Sequence, residues 1–97
     1  MTSMIGSRSS RLVLHLGNAQ QKSASVRMNF IWTQAKDLQL EGFIRALDGG
    51  IVEVLLEGNR PELDVFITFV LSTFGQYEKV DYKFSPASNE FDLVQVV

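Results

Sequence analysis

Cysteine is absent from this 97-residue sequence. Its absence excludes disulfides, thiol catalysis and thiolate metal sites, and leaves the redox compartment open. With only two prolines and seven glycines, neither a collagen-like nor a linker-like chain is possible. Histidine occurs once, as His15, with no HxxxH or HExxH partner, so no metal site is expected. Long apolar runs are also missing. Val65–Leu71 is broken by Thr68 and falls far short of the roughly 20 residues a membrane span needs. The first residues hold no continuous apolar core, so no secretory signal is expected and the cytoplasm is the expected location. Acidic residues are missing from positions 1–36, which carry Arg8, Arg11, Lys22, Arg27 and Lys36, while the remainder is acidic. Such a basic front suits an anionic ligand, a membrane surface or an import signal, or is a set of scattered solvated charges.

What is present belongs to a folded domain. The apolar fraction is 45% and the charged fraction 21%, and the length allows one domain. Met1–Ser10 is rich in small polar residues and is expected to be a mobile tail, leaving 11–97 as the folded unit. Arg11–Leu16 alternates as a strand, with Leu12, Leu14 and Leu16 on one face. After a polar loop, Met28, Ile31, Ala35 and Leu38 repeat at helical spacing, with Ser25 the expected N-cap and Phe30 and Trp32 flanking the stripe. Glu41–Leu47 and Ile51–Glu57 read as strands joined by Asp48-Gly49-Gly50, a strong hairpin signal. Asn59, Pro61 and Glu62 form a helix-start signature, followed by Leu63, Phe66, Ile67, Val70, Leu71 and Phe74 on one face. Gly75 is expected to stop that helix in a left-handed conformation. Val80–Phe84 alternates again, Pro86–Asn89 reads as a turn, and Phe91–Val96 as a last short strand. The order β-α-β-β-α-β, plus an extra strand, predicts an α+β ferredoxin-like sandwich: two helices on one face of a four- to five-stranded antiparallel sheet.

That fold hosts many activities, so function must come from a site. Base-stacking aromatics are missing from the two strands expected at the sheet centre, and Glu53 and Glu57 repel phosphate, so no nucleic acid is expected. No membrane partner is expected either. Tyr77 and Tyr82 lie too late for the first-strand tyrosine of a flavin photoreceptor of this fold. No phosphate-loop motif exists, and a Ser-His-Asp triad built on His15 has no support in spacing. No cofactor is implied.

The block Ala35…Leu38-Gln39-Leu40-Glu41-Gly42-Phe43-Ile44…Asp48-Gly49-Gly50…Val52-Glu53-Val54 resembles the middle of an acylphosphatase. Leu55-Leu56-Glu57-Gly58, the capped second helix and Phe91-Asp92-Leu93 fit the same layout, so the resemblance spans about residues 11–97. It implies a hydrolase of acyl phosphates. In that family a glycine-containing loop wraps backbone N–H groups around phosphate. An arginine holds the phosphate with its planar fork, and an asparagine on the second strand orients the attacking water.

A gap-free count back from Leu38–Gly42 puts the arginine position on Met28, the loop on Lys22, Ser23, Ala24, Ser25, Val26 and Arg27, and the loop glycine on Ala24. The asparagine position falls on Ala46. A thioether cannot hold phosphate and a methyl cannot orient water, so the resemblance implies a pseudoenzyme. On this count Met28 is a core residue of the helix and Ala46 packs on an inward strand face. Arg27 reads as a solvated side chain or, with one residue of slippage, as a substitute anchor for a weakly active acylphosphatase; Lys22 could add charge there. Arg45 points to the opposite sheet face from Ala46. The expected partners are phosphate or another small anion, a protein, or a second copy of the chain. A small-molecule sensor or dimerisation domain of the same fold is the further alternative.

Overall fold

A computed structural model of the chain describes residues 9–17 and 24–97. Most of the expected tail (residues 1–8), and Lys22 and Ser23 of the expected loop, lie outside the described residues. The elements run β1 (Ser10–Leu16), α1 (Ala24–Asp37), β2 (Glu41–Leu47), β3 (Ile51–Gly58), α2 (Arg60–Phe74), β4 (Val80–Pro86) and β5 (Val94–Val96). The sheet order is β4-β1-β3-β2-β5, with both helices on one side. Strand β1 begins at Ser10, one residue before the expected start.

Alternation in the sequence becomes facing in the sheet. Leu12, Leu14 and Leu16 pair with Leu56, Val54 and Val52, and all six are wholly buried. Ile44 pairs with Val54 and extends this layer across β2. The helices close it with Ile31 and Ala35 from α1, and with Leu63, Phe66 and Val70 from α2. Leu71, expected on the same stripe of α2, stays exposed. Four strands join antiparallel, and β5 adds parallel to β2, with Ile44 opposite Val96. Trp32 lies half-buried against this added strand and donates from Nε1 to Val94 O at 3.2 Å. Among the described residues no helix is long and apolar enough to cross a membrane.

The connections follow local chemistry, with three corrections. Asp48–Gly50 turns the β2–β3 hairpin through Gly49 at φ 81° and Gly50 at φ 77°, values that glycine adopts without strain. Helix α1 starts at Ala24, so Ser25 lies within it and is not its N-cap. Asn59 precedes α2 with extended backbone, but its side chain makes no capping hydrogen bond. Gly75 is right-handed, at φ −61°, rather than left-handed. Its N–H still closes on Leu71 O, and the chain winds on: Tyr77 and Glu78 both donate their N–H to Phe74 O. With that extra turn no left-handed residue is needed, and Glu78 is delivered back to the edge of the core.

Candidate functional site

The first turn of α1 carries the residues expected in the anion loop. Ala24, Ser25, Val26 and Arg27 are helical, and Ser25 and Val26 are exposed. Met28 is nearly buried in the core, as its spacing with Ile31 and Ala35 requires. Ala46 departs from expectation. It pairs with the buried Val52 yet is itself exposed, because it lies near the end of β2, past the cover that buries Ile44.

Arg27 is the larger correction, for it is not solvated. Its relative exposure is 1%, and it lies four and eight residues before the buried Ile31 and Ala35, on the same helix face. The guanidinium reaches the ends of three segments. Nη1 donates to Glu78 Oε1 at 2.9 Å and, at a long 3.5 Å, to Leu16 O at the end of β1. Nη2 donates to Gly50 O in the hairpin at 2.6 Å. Both side chains of the Arg27–Glu78 pair are 1% exposed. The neighbouring recess, of about 170 Å³, is bordered by Val26, Phe30 and Tyr77.

The i, i+4, i+8 relation of Arg27 to Ile31 and Ala35 was legible in the sequence. Glu78 was missed. It lies 51 positions from Arg27, and no local pattern singles it out.

A carboxylate on the guanidinium fork has a direct chemical consequence. Glu78 supplies the negative charge and acceptor oxygen that a bound phosphate would otherwise supply. An incoming anion must displace Glu78 or meet its charge at short range in a poorly solvated place. The backbone carbonyls on Nη1 and Nη2 commit further donors.

Two other carboxylates are tied into the sheet. On the open face, Glu53 lies between His15, whose Nε2 is 3.0 Å away, and Arg45. Arg45 therefore faces away from the helices, as strand alternation predicts. Burial pushes the Glu53 carboxyl up, but hydrogen bonds from His15 and Arg45, and their charge, outweigh it and hold it below the ordinary carboxylate value. Glu57, 1% exposed, accepts from Ser88 N at 2.7 Å, Ser88 Oγ at 2.8 Å, Asn89 N at 2.7 Å and Arg11 Nε at 2.9 Å. Burial again pushes the carboxyl up, and these donors more than reverse it. Among the described residues no group of histidine and carboxylate side chains could hold a metal ion.

The chain matches the family model "Acylphosphatase" over residues 28–92. It is 33% identical over 70 residues to an acylphosphatase of Paenarthrobacter aurescens (strain TC1), covering 68% of this chain and 74% of that protein. Its fold superposes on the crystal structure of an acylphosphatase from Bacillus subtilis with a TM-score of 0.76 and 19% identity, covering 91% of this chain and 98% of that one. An acylphosphatase from Coxiella burnetii superposes with a TM-score of 0.68 and 16% identity, over 94% and 95% of the two chains.

Proposed function

The chain belongs to the acylphosphatase family, and from that premise we propose that it is a non-catalytic member, a binding domain whose arginine fork is closed by an internal carboxylate. The Arg27–Glu78 pair carries this reading. A family site built on positioning and charge stabilisation needs an arginine free to take phosphate and an amide to orient water. Here Arg27 is engaged by Glu78, Gly50 O and Leu16 O. The position that the gap-free count assigns to the amide holds Ala46, whose methyl carries no donor. Arg45 cannot substitute, since it faces Glu53 across the sheet. Met28 offers no alternative anchor, because its side chain is packed in the core.

Hydrolysis of acetyl phosphate or benzoyl phosphate by the purified chain tests this. The expected rate is that of buffer alone. The Glu78→Gln/Ala46→Asn double variant, which removes the competing negative charge from the fork and places an amide at position 46, is expected to gain turnover. Wild-type turnover above buffer that falls in Arg27→Lys, with the fold intact by circular dichroism, would transfer the reading to a weakly active acylphosphatase anchored by Arg27. The kinship to proteins named acylphosphatases favours that second reading.

A further inference from the structure

Strand β4 is an outer strand of the sheet, and among the described residues it pairs with β1 alone. The phase of that ladder is set by Gly17 N–H, which donates to Lys79 O at 2.8 Å. In an antiparallel pair, residues alternate in turning both peptide groups toward the partner or away. The Gly17–Lys79 bond therefore makes Lys79, Asp81, Lys83 and Ser85 turn inward to β1. Val80, Tyr82 and Phe84 present N–H and C=O outward, as a strand template would.

The side chains fit one occupant of that template. Asp81 and Lys83 are the only charged residues of β4, of opposite sign and symmetric about Tyr82. We propose that a second copy of this chain pairs through β4, antiparallel and centred on Tyr82, to make one continuous sheet across the twofold axis. In this register Asp81 faces the second copy's Lys83, and Lys83 faces its Asp81. On the helix side, Val80 faces the second copy's Phe84 and Tyr82 faces its own twin. The outward peptide groups of Val80, Tyr82 and Phe84 are the ones brought together.

Charge also rejects the neighbouring registers. Centring on Asp81 sets like carboxylates opposite each other and brings Lys79 to Lys83. Centring on Lys83 opposes two ammonium groups. Like charges directly opposite destabilise a pair of strands. Tyr82 is 46% exposed and packs edge-on against Phe84, with 6.2 Å between ring centroids, while Arg60 lies over the Phe84 ring, so the exposed apolar surface of this edge is mainly that of Tyr82. A single strand pair makes a small contact, of the weak and reversible class.

Sedimentation velocity of the full chain from micromolar to about 1 mM tests the proposal. A monomer–dimer equilibrium is expected, and only monomer across the range would overturn it. Tyr82→Pro removes an outward N–H and no bond to β1, so it should abolish the dimer and leave the fold intact. Asp81→Lys and Lys83→Asp should each be monomeric alone and form a heterodimer when mixed, since every facing pair then has opposite sign. The double swap Asp81→Lys/Lys83→Asp should restore the homodimer. A dimer indifferent to all of these would place the interface elsewhere and overturn the proposal. The outcome is independent of acyl phosphate turnover, so the two readings stand or fall separately.

Discussion

Arg27 and Glu78 lie so deep that neither can be changed without consequence for the other. Replacing one partner of a buried pair typically costs about 3–5 kcal/mol, because a charge is left behind in a place water does not reach. Glu78→Gln and Arg27→Met are each expected to destabilise the chain by that order in urea unfolding. The double variant should cost less than the sum, because the two substitutions remove the same interaction. Additive losses would mean that the pair is not coupled. Glu57 makes a prediction about pH. Its carboxyl sits below the ordinary value of 4.5, so the folded state prefers it ionised. Its contribution is complete above 4.5 and is lost as pH falls through the lower folded value. Glu57→Gln should therefore cost about 1–3 kcal/mol at pH 7 and flatten the loss of stability on acidification. An unchanged acid limb in the variant would assign that loss to other groups.

At the scale of elements, β2 and β3 approach each other closely at Gly42. Its φ is 147°, and a Cβ there would fall 1.9 Å from Leu55 O. Gly42 N–H donates to Leu93 O just before β5, so the same residue also ties down the start of the parallel strand. Gly42→Ala is expected to cost ~3 kcal/mol or more, or to prevent folding, through strain and overlap together. Gly49, with φ 81° and open space around it, should tolerate alanine far better, at a cost set by backbone strain alone. Thermal unfolding of the two variants side by side separates overlap from strain. The paired strands and α2 were legible because their signals are local: alternation, an Asp-Gly-Gly turn, a helical stripe. The start of α1 was not, and α2 stops at Phe74, just before Gly75 as expected, but without the expected left-handed cap. Ser25 and Gly75 have the composition of cap residues, but where winding stops depends on what the next turn can satisfy, as Phe74 O does with two N–H groups.

Across the whole molecule, the helices and the open face divide the work. The helix side holds the core and the Arg27–Glu78 pair. The open face carries Val13, Phe43 and Leu55 beside the charged row of His15, Glu53 and Arg45, with Phe43 edge-on to Phe91 at 6.2 Å. Pairing through β4 leaves both faces in place and extends the sheet. Because dimerisation binds the folded chain only, the unfolding midpoint should rise with protein concentration and become independent of it in Tyr82→Pro.

Residue order alone carried the family resemblance, the two-helix sandwich and the alternating core, and it set the expectation, by a gap-free count, that Met28 and Ala46 stand where the family has its arginine and asparagine. These rest on residue type and on spacing within one element, where neighbours along the chain set the geometry. Tertiary packing settles that Arg27 is buried and held by Glu78, that Ala46 is exposed, and that β4 lies at the sheet's edge with the peptide groups of Val80, Tyr82 and Phe84 turned outward. Each depends on which distant segment arrives next to a side chain or peptide group. A guanidinium reads the same in sequence whether it meets water, phosphate or a carboxylate 51 residues away.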